Sequence, residues 1–314
     1  MELASIYLVM AELFLVMLVG YCCQRGRLFP EGTQASLTKL VVYIANPCII
    51  LSSVLTDEAM PSAGSIVRLL LLSTACYGVM FLLAWLVVRL LRIEPGQRGG
   101  YLCMMVFSNC GFVGFPVVQA IFGSGAVFYA AIINMPFYPL LYGVGVYLLL
   151  RDKSARQGDG GAQFHFRWVD LLNPNMIASL LAIAIALTGV RFPALFTDTI
   201  QTLGGLTTPL ALLCIGLMFA KRPLRYILGT PSLWLVCVVR IVVMPVVLWL
   251  GLRLFLSEPV VIGTAVAIFA MPVATMVPLL CAEYGADETT AVQGVFLSTV
   301  LSLITIPILI TLLT

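Results

Sequence analysis

The 314-residue chain has one histidine, His165, and only 10% of its residues are charged. A lone histidine leaves little for an imidazole-built metal site, or for a nucleophile that needs a histidine base. The sequence contains no G-x-S-x-G, no H-E-x-x-H, no P-loop and no G-x-G-x-x-G opening a βαβ unit. An enzyme is therefore not expected, nor is a pump driven by a bound nucleotide. The nine cysteines lie mostly within apolar runs and show no C-x-x-C pairing. They read as small packing residues rather than as disulfides or metal ligands. A basic leader is missing too: the chain opens Met1-Glu2-Leu3-Ala4, and Arg25 and Arg27 follow the first apolar run instead. That order predicts a retained span whose start faces outward, not a cleaved signal. No cofactor, metal or nucleic-acid partner is expected; a coupling ion, H+ or Na+, stays open.

What the chain has in abundance is apolar surface. It is 61% hydrophobic with a mean hydropathy of +1.08, the composition of an all-α polytopic protein embedded in a lipid bilayer. The runs predict ten spans, near 5–23, 37–55, 66–91, 101–122, 126–150, 172–190, 201–220, 231–255, 260–282 and 288–313. Residues 24–36 form a short basic turn, and 151–168 the one long polar connector. With the N-terminus outside, thirteen of the 17 basic residues fall on inward loops and span ends. Arg68, Arg191 and Arg253 fall outside, and Arg240 lies within a span. This asymmetry predicts that both termini face out and that 151–168 is cytoplasmic, in a cell membrane.

A shift of 162 residues superposes Phe107 on Phe269, Pro116 on Pro278, Gly123 on Gly285 and Pro47 on Pro209. A shift of 163 superposes Gly26 on Gly189 and Pro30 on Pro193. The reading is two five-helix repeats, 1–150 and 169–314, joined by the loop 151–168. An odd number of spans inverts the second repeat relative to the first. Span 4 carries Ser108-Asn109-Cys110-Gly111-Phe112-Val113-Gly114-Phe115-Pro116, and span 9 carries Met271-Pro272 through Thr275 to Pro278. Glycine and proline inside a helix cost about 1 and 3 kcal/mol relative to alanine, so both spans are expected to break. Backbone freed at membrane depth must be satisfied by protein or line a cavity. If the breaks cross, two half-helix N-termini face one space and favour an anion.

The candidate substrate-binding residues are Asn109, Gly111, Gly114, Pro116, Thr275, Pro278 and Asn46. Asn46 lines the cavity or repairs the hydrogen bond that Pro47 removes. Two ionisable residues lie inside spans, Glu12 and Arg240, and are candidates for coupling and charge. Arg240 would meet a substrate carboxylate, Glu12 or backbone carbonyls; Glu12 would bind a proton or form a structural pair. Glu283, Asp287 and Glu288 read as solvated.

Asn46-Pro47-Cys48, the Ser108–Pro116 break, and Met271-Pro272 to Pro278 followed by Ala282-Glu283-Tyr284-Gly285 resemble the auxin efflux carrier family. That family includes plant PIN-formed carriers and bacterial carriers assigned to malate, malonate and related organic acids. The resemblance implies ten helices in two inverted repeats with helices 4 and 9 broken and crossing, as in bile-acid symporters. It further implies an elevator-type motion that carries a small organic anion. Asn109 falls on the family's crossover asparagine; span 9 offers Thr275 but no asparagine. The long loop of many plant members is absent, which points to the short bacterial type. The resemblance allows a homodimer, although nothing in the spans marks a dimer face. An anion channel or a substrate-sensing receptor on the same fold is the alternative.

Overall fold

The computed structural model describes residues 3–30, 32–55, 62–157, 174–220 and 229–313. The connector from residue 158 onward, with His165 and Arg167, lies outside the described residues. So do Lys221, Arg222 and Arg225.

Among the described residues the chain is helical, and its one β-type pairing is a single bridge. The helices are α1 (Leu3–Arg25), α2 (Thr33–Leu55), α3 (Ala63–Leu90), α4 (Arg98–Val106), α5 (Cys110–Phe122) and α6 (Ser124–Gln157). After the connector come α7 (Pro174–Thr188), α8 (Ala194–Ala220), α9 (Pro231–Leu252), α10 (Pro259–Ala270), α11 (Met276–Tyr284) and α12 (Glu288–Leu313). Six of them, α2, α3, α6, α8, α9 and α12, are long and apolar enough to cross a membrane. Large apolar side chains such as Leu71, Leu82, Trp85, Leu195 and Ile304 are exposed on the outside. A water-soluble domain would bury such residues; lipid does not require it.

Among the described residues four helices contain a π turn, at Val41–Ala45, Cys110–Gly114, Leu141–Gly145 and Val239–Val243. In three cases a proline follows two residues later, namely Pro47, Pro116 and Pro245. A proline ring crowds the carbonyl four residues back and offers it no N–H. The wider turn absorbs that conflict without ending the helix. Glycine serves a different purpose between α1 and α8. A Cβ on Gly216 would strike the backbone oxygen of Met17, and one on Gly20 the backbone oxygen of Leu213. The two backbones touch because neither residue has a side chain.

Two interruptions split what would otherwise be two continuous spans: α4 from α5, and α10 from α11. The second halves end alike. Gly123 (φ 88°) follows α5 and Gly285 (φ 71°) follows α11, both in a region that L side chains rarely enter. Helix α3 braces both first halves. Its Phe81 packs edge-on to Phe107 at 5.9 Å, and its Tyr77 packs edge-on to Phe269 at 5.4 Å.

Candidate functional site: the crossing of two broken helices

Each break exposes peptide groups that a helix would have paired. In hydrocarbon such groups cost several kcal/mol unless they find partners. The structure supplies those partners by laying the breaks side by side. Ser108 and Val273 form an antiparallel bridge. The Asn109 amide donates to the Pro272 carbonyl at 2.8 Å, and the Ala274 amide donates to the Phe107 carbonyl at 2.9 Å. The Val273 amide donates to Ser298 Oγ of α12 at 3.0 Å.

Arg240 completes the repair. It is fully buried (0% exposed) in the π turn of α9. Its Nη1 donates to the Phe269 carbonyl at 2.7 Å, at the negative end of α10, and its Nη2 donates to Ser108 Oγ. One guanidinium fork therefore ties the end of one first half-helix to the break of the other. Of the partners considered from sequence, the structure shows a backbone carbonyl. Glu12 lies elsewhere, on the exposed face of α1, and among the described residues it forms no ion pair.

Beside the crossing lies a cavity of about 300 Å³. Its walls come from α2 (Gln34, Thr38), α5 (Phe112), α8 (Met218), Thr275 just before α11, α11 itself (Pro278) and the first turn of α12 (Glu288). Gln34, Thr38, Thr275 and Glu288 bring polar atoms to an otherwise apolar lining. The cavity reaches from the starts of α2 and α12 inward to the start of α11 and the π turn of α5. Among the described residues, the amides of Gly111, Phe112, Thr275 and Met276 have no backbone acceptor. They belong to the first turns of α5 and α11, where helices leave N–H groups unpaired. Phe112, Thr275 and Met276 all line the cavity.

The other candidates fall into two groups. Gly114 and Pro116 are buried helix-packing positions: a Cβ on Gly114 would press on Ile268 at 3.0 Å, and Pro116 sits in the opening turn that follows the π turn. Asn109, Gly111 and Asn46 are not among the residues that line the cavity. Asn109 Nδ2 is buried without a partner, as are both amide atoms of Asn46. A Cβ on Gly111 would meet Asn46 Nδ2 at 3.0 Å and Asn175 Nδ2 at 4.0 Å. Asn175 in turn donates to Tyr138 Oη at 2.9 Å.

Sequence reasoning did not single out Ser108, Ser298, Asn175 or Asp152. Ser108 carried a signal, being polar and next to Asn109; the others depend on contacts far along the chain. Glu288, expected to be solvated, is exposed and also edges the cavity.

The helical, lipid-facing exterior and the paired breaks define a class, that of membrane carriers built on interrupted helices. The chain belongs to the membrane transport protein family, whose profile matches residues 5–158 and 163–310. This is the auxin efflux carrier family that the two breaks resemble. An "Uncharacterized transporter" of Methanothermobacter thermautotrophicus is 26% identical over 302 residues, 95% of each chain. One of Methanocaldococcus jannaschii is 23% identical over 301 residues, 93% of this chain and 94% of its own. A "Putative malonate transporter" of Rhizobium meliloti is 21% identical over 296 residues, covering 93% and 91%. The protein is an integral membrane protein of a transporter family.

Proposed function

We propose that this protein is a secondary active transporter of a small organic anion, a mono- or dicarboxylate of the size of malonate or malate. One observation carries the reading. Two broken helices meet antiparallel, and the first turns of both second halves open on one cavity. Unpaired amides at two helix N-termini suit a carboxylate, and Thr275 adds a hydroxyl. A volume of about 300 Å³ is at the lower end of ligand pockets, in keeping with a small substrate.

In this reading the chain forms ten spans in two inverted repeats, with α4–α5 and α10–α11 as the fourth and ninth. Both termini lie outside, so the starts of α2 and α12 are cytoplasmic and the cavity opens inward. An elevator-type displacement of the crossing against α1, α2, α7 and α8 would carry the anion to the other side, coupled to protons or sodium. Asn46 and Asn109, buried with unpaired amide groups, would take up hydrogen bonds with the anion or its water during that displacement.

The test is uptake of labelled malonate and malate into proteoliposomes under separately imposed proton and sodium gradients. Gradient-driven, saturable uptake that falls at least tenfold in Asn109→Ala or Thr275→Val is the expected result. Non-saturating flux would favour a channel. Saturable uptake that is equal in the parent and both variants would remove the anion from the crossing.

A further inference from the structure

At 1.5 Å per residue the 34-residue helix α6 is about 51 Å long, well beyond the ~30 Å of bilayer hydrocarbon. Its last turns, Arg151–Gln157, are polar and extend past the apolar segment. Asp152 lies on that polar end and is nevertheless buried, at 2% exposure. Its Oδ1 accepts the Gly99 amide at 2.9 Å and its Oδ2 accepts the Gly100 amide at 2.8 Å. Both amides belong to the first turn of α4, where N–H groups are unpaired and negative charge is favoured. Residue 99 has room for nothing larger than glycine, because a Cβ there would strike the Leu148 carbonyl oxygen.

The same turn of α6 makes two more attachments. Arg156 Nε donates to the Gly96 carbonyl at 3.0 Å, just before α4. The Lys153 stem lies over Gly285, whose Cβ would meet Lys153 Cδ at 3.4 Å, at the negative end of α11. Alongside, Gln97 Nε2 donates to Asp287 Oδ2 at 3.0 Å, linking the start of α4 to the start of α12. One polar turn therefore holds the near ends of both broken helices, with an anion at a helix start and a cation at a helix end.

We propose that Asp152 is a proton-binding site whose occupancy sets the grip of α6 on the first half of the broken helix α4–α5. The groups around it are Arg151, Lys153 and Arg156 on its own helix, Cys103 from α4 and Cys281 from α11. Cys281 also feels the charges of Asp287 and Glu288. Burial pushes the carboxyl up to about 6, and the two amide bonds, Arg156 and Arg151 restrain the rise. Asp152 is thus ionised at neutral pH and takes up a proton in mild acid. A protonated carboxyl turns one acceptor oxygen into a donor, so one of the two amide bonds loses its charge-assisted partner.

The experiment follows carboxyl protonation by infrared spectroscopy, and amide hydrogen exchange at Gly99 and Gly100, across an acid titration of the full-length protein in detergent. A component with a midpoint near 6 is expected in the parent and absent in Asp152→Asn. Arg156→Gln keeps the carboxyl and removes a restraining cation, so its midpoint should move up; this variant guards against misfolding of the first. Below the midpoint, exchange at whichever of Gly99 and Gly100 faces the protonated oxygen, corrected for intrinsic rate, should exceed that above it, while the clamp as a whole persists because burial favours the neutral carboxyl. The proposal is overturned by a component that survives in Asp152→Asn, a midpoint indifferent to Arg156, or equal exchange on both sides. None of these readouts needs a transported substrate, so their failure is distinct from failure of the transport reading.

Discussion

At the scale of single residues, Arg240 shows what a buried cation can do without a carboxylate. Isolated charges in low dielectric are costly, and pairing with acids is the usual remedy. Here the partners are a carbonyl at the end of α10 and the Ser108 hydroxyl. Hydrogen bonds to charged groups contribute about 1.5–3 kcal/mol each, so Arg240→Gln should destabilise the fold by about 3 kcal/mol. Thermal unfolding in detergent measures this. Arg240→Lys should recover only part of the loss, because an ammonium cannot reproduce a planar fork reaching two helices. Ser298→Ala should cost about 1–3 kcal/mol, the penalty of leaving the buried Val273 amide unpaired. Asp152 gives a pH dependence. Its carboxyl is raised to about 6 in the fold, so its contribution is complete below the ordinary value of 3.8 and lost as pH rises through about 6. The melting temperature should therefore rise as pH falls through that window, and the rise should be smaller in Asp152→Asn.

At the scale of elements, the sequence marks where helices yield but not what they yield to. Ser108–Pro116 and Met271–Pro278 are legible as breaks because glycine and proline act on the local backbone. Their pairing is not legible, since Asn109 and Pro272 meet across more than half the chain. The partner of Arg240 is hidden for the same reason. Asp152 escapes notice in Arg151-Asp152-Lys153 because an acid among basic residues reads as solvated; only the fold brings it to the Gly99 and Gly100 amides. The π turns before Pro47, Pro116 and Pro245 are a middle case: the strain is in the sequence, while the choice of a wide turn over a kink belongs to the packing. The contact of α1 with α8 depends on Gly20 and Gly216. Gly216→Val should separate these backbones and cost about 1–3 kcal/mol or more from overpacking, read as a lower melting temperature with less folded protein recovered.

At the scale of the whole molecule, the breaks and the cavity form one arrangement. The paired peptides and the Arg240 fork fix the crossing, and the unpaired first turns of α5 and α11 face the adjoining space. The cavity is edged by α2 and α8 on one side and by α11 and α12 on the other. A displacement between those groups would change its access without breaking the Ser108–Val273 bridge. The central claim is that this arrangement carries an organic anion through alternating access, and counterflow tests it most directly. Proteoliposomes are loaded with unlabelled malonate, diluted into labelled malonate, and followed without any imposed gradient. A carrier predicts a transient overshoot of label in the parent, reduced at least tenfold in Thr275→Val. Monotonic equilibration of label with no overshoot, in protein shown to be folded and to pass malonate, would contradict the account.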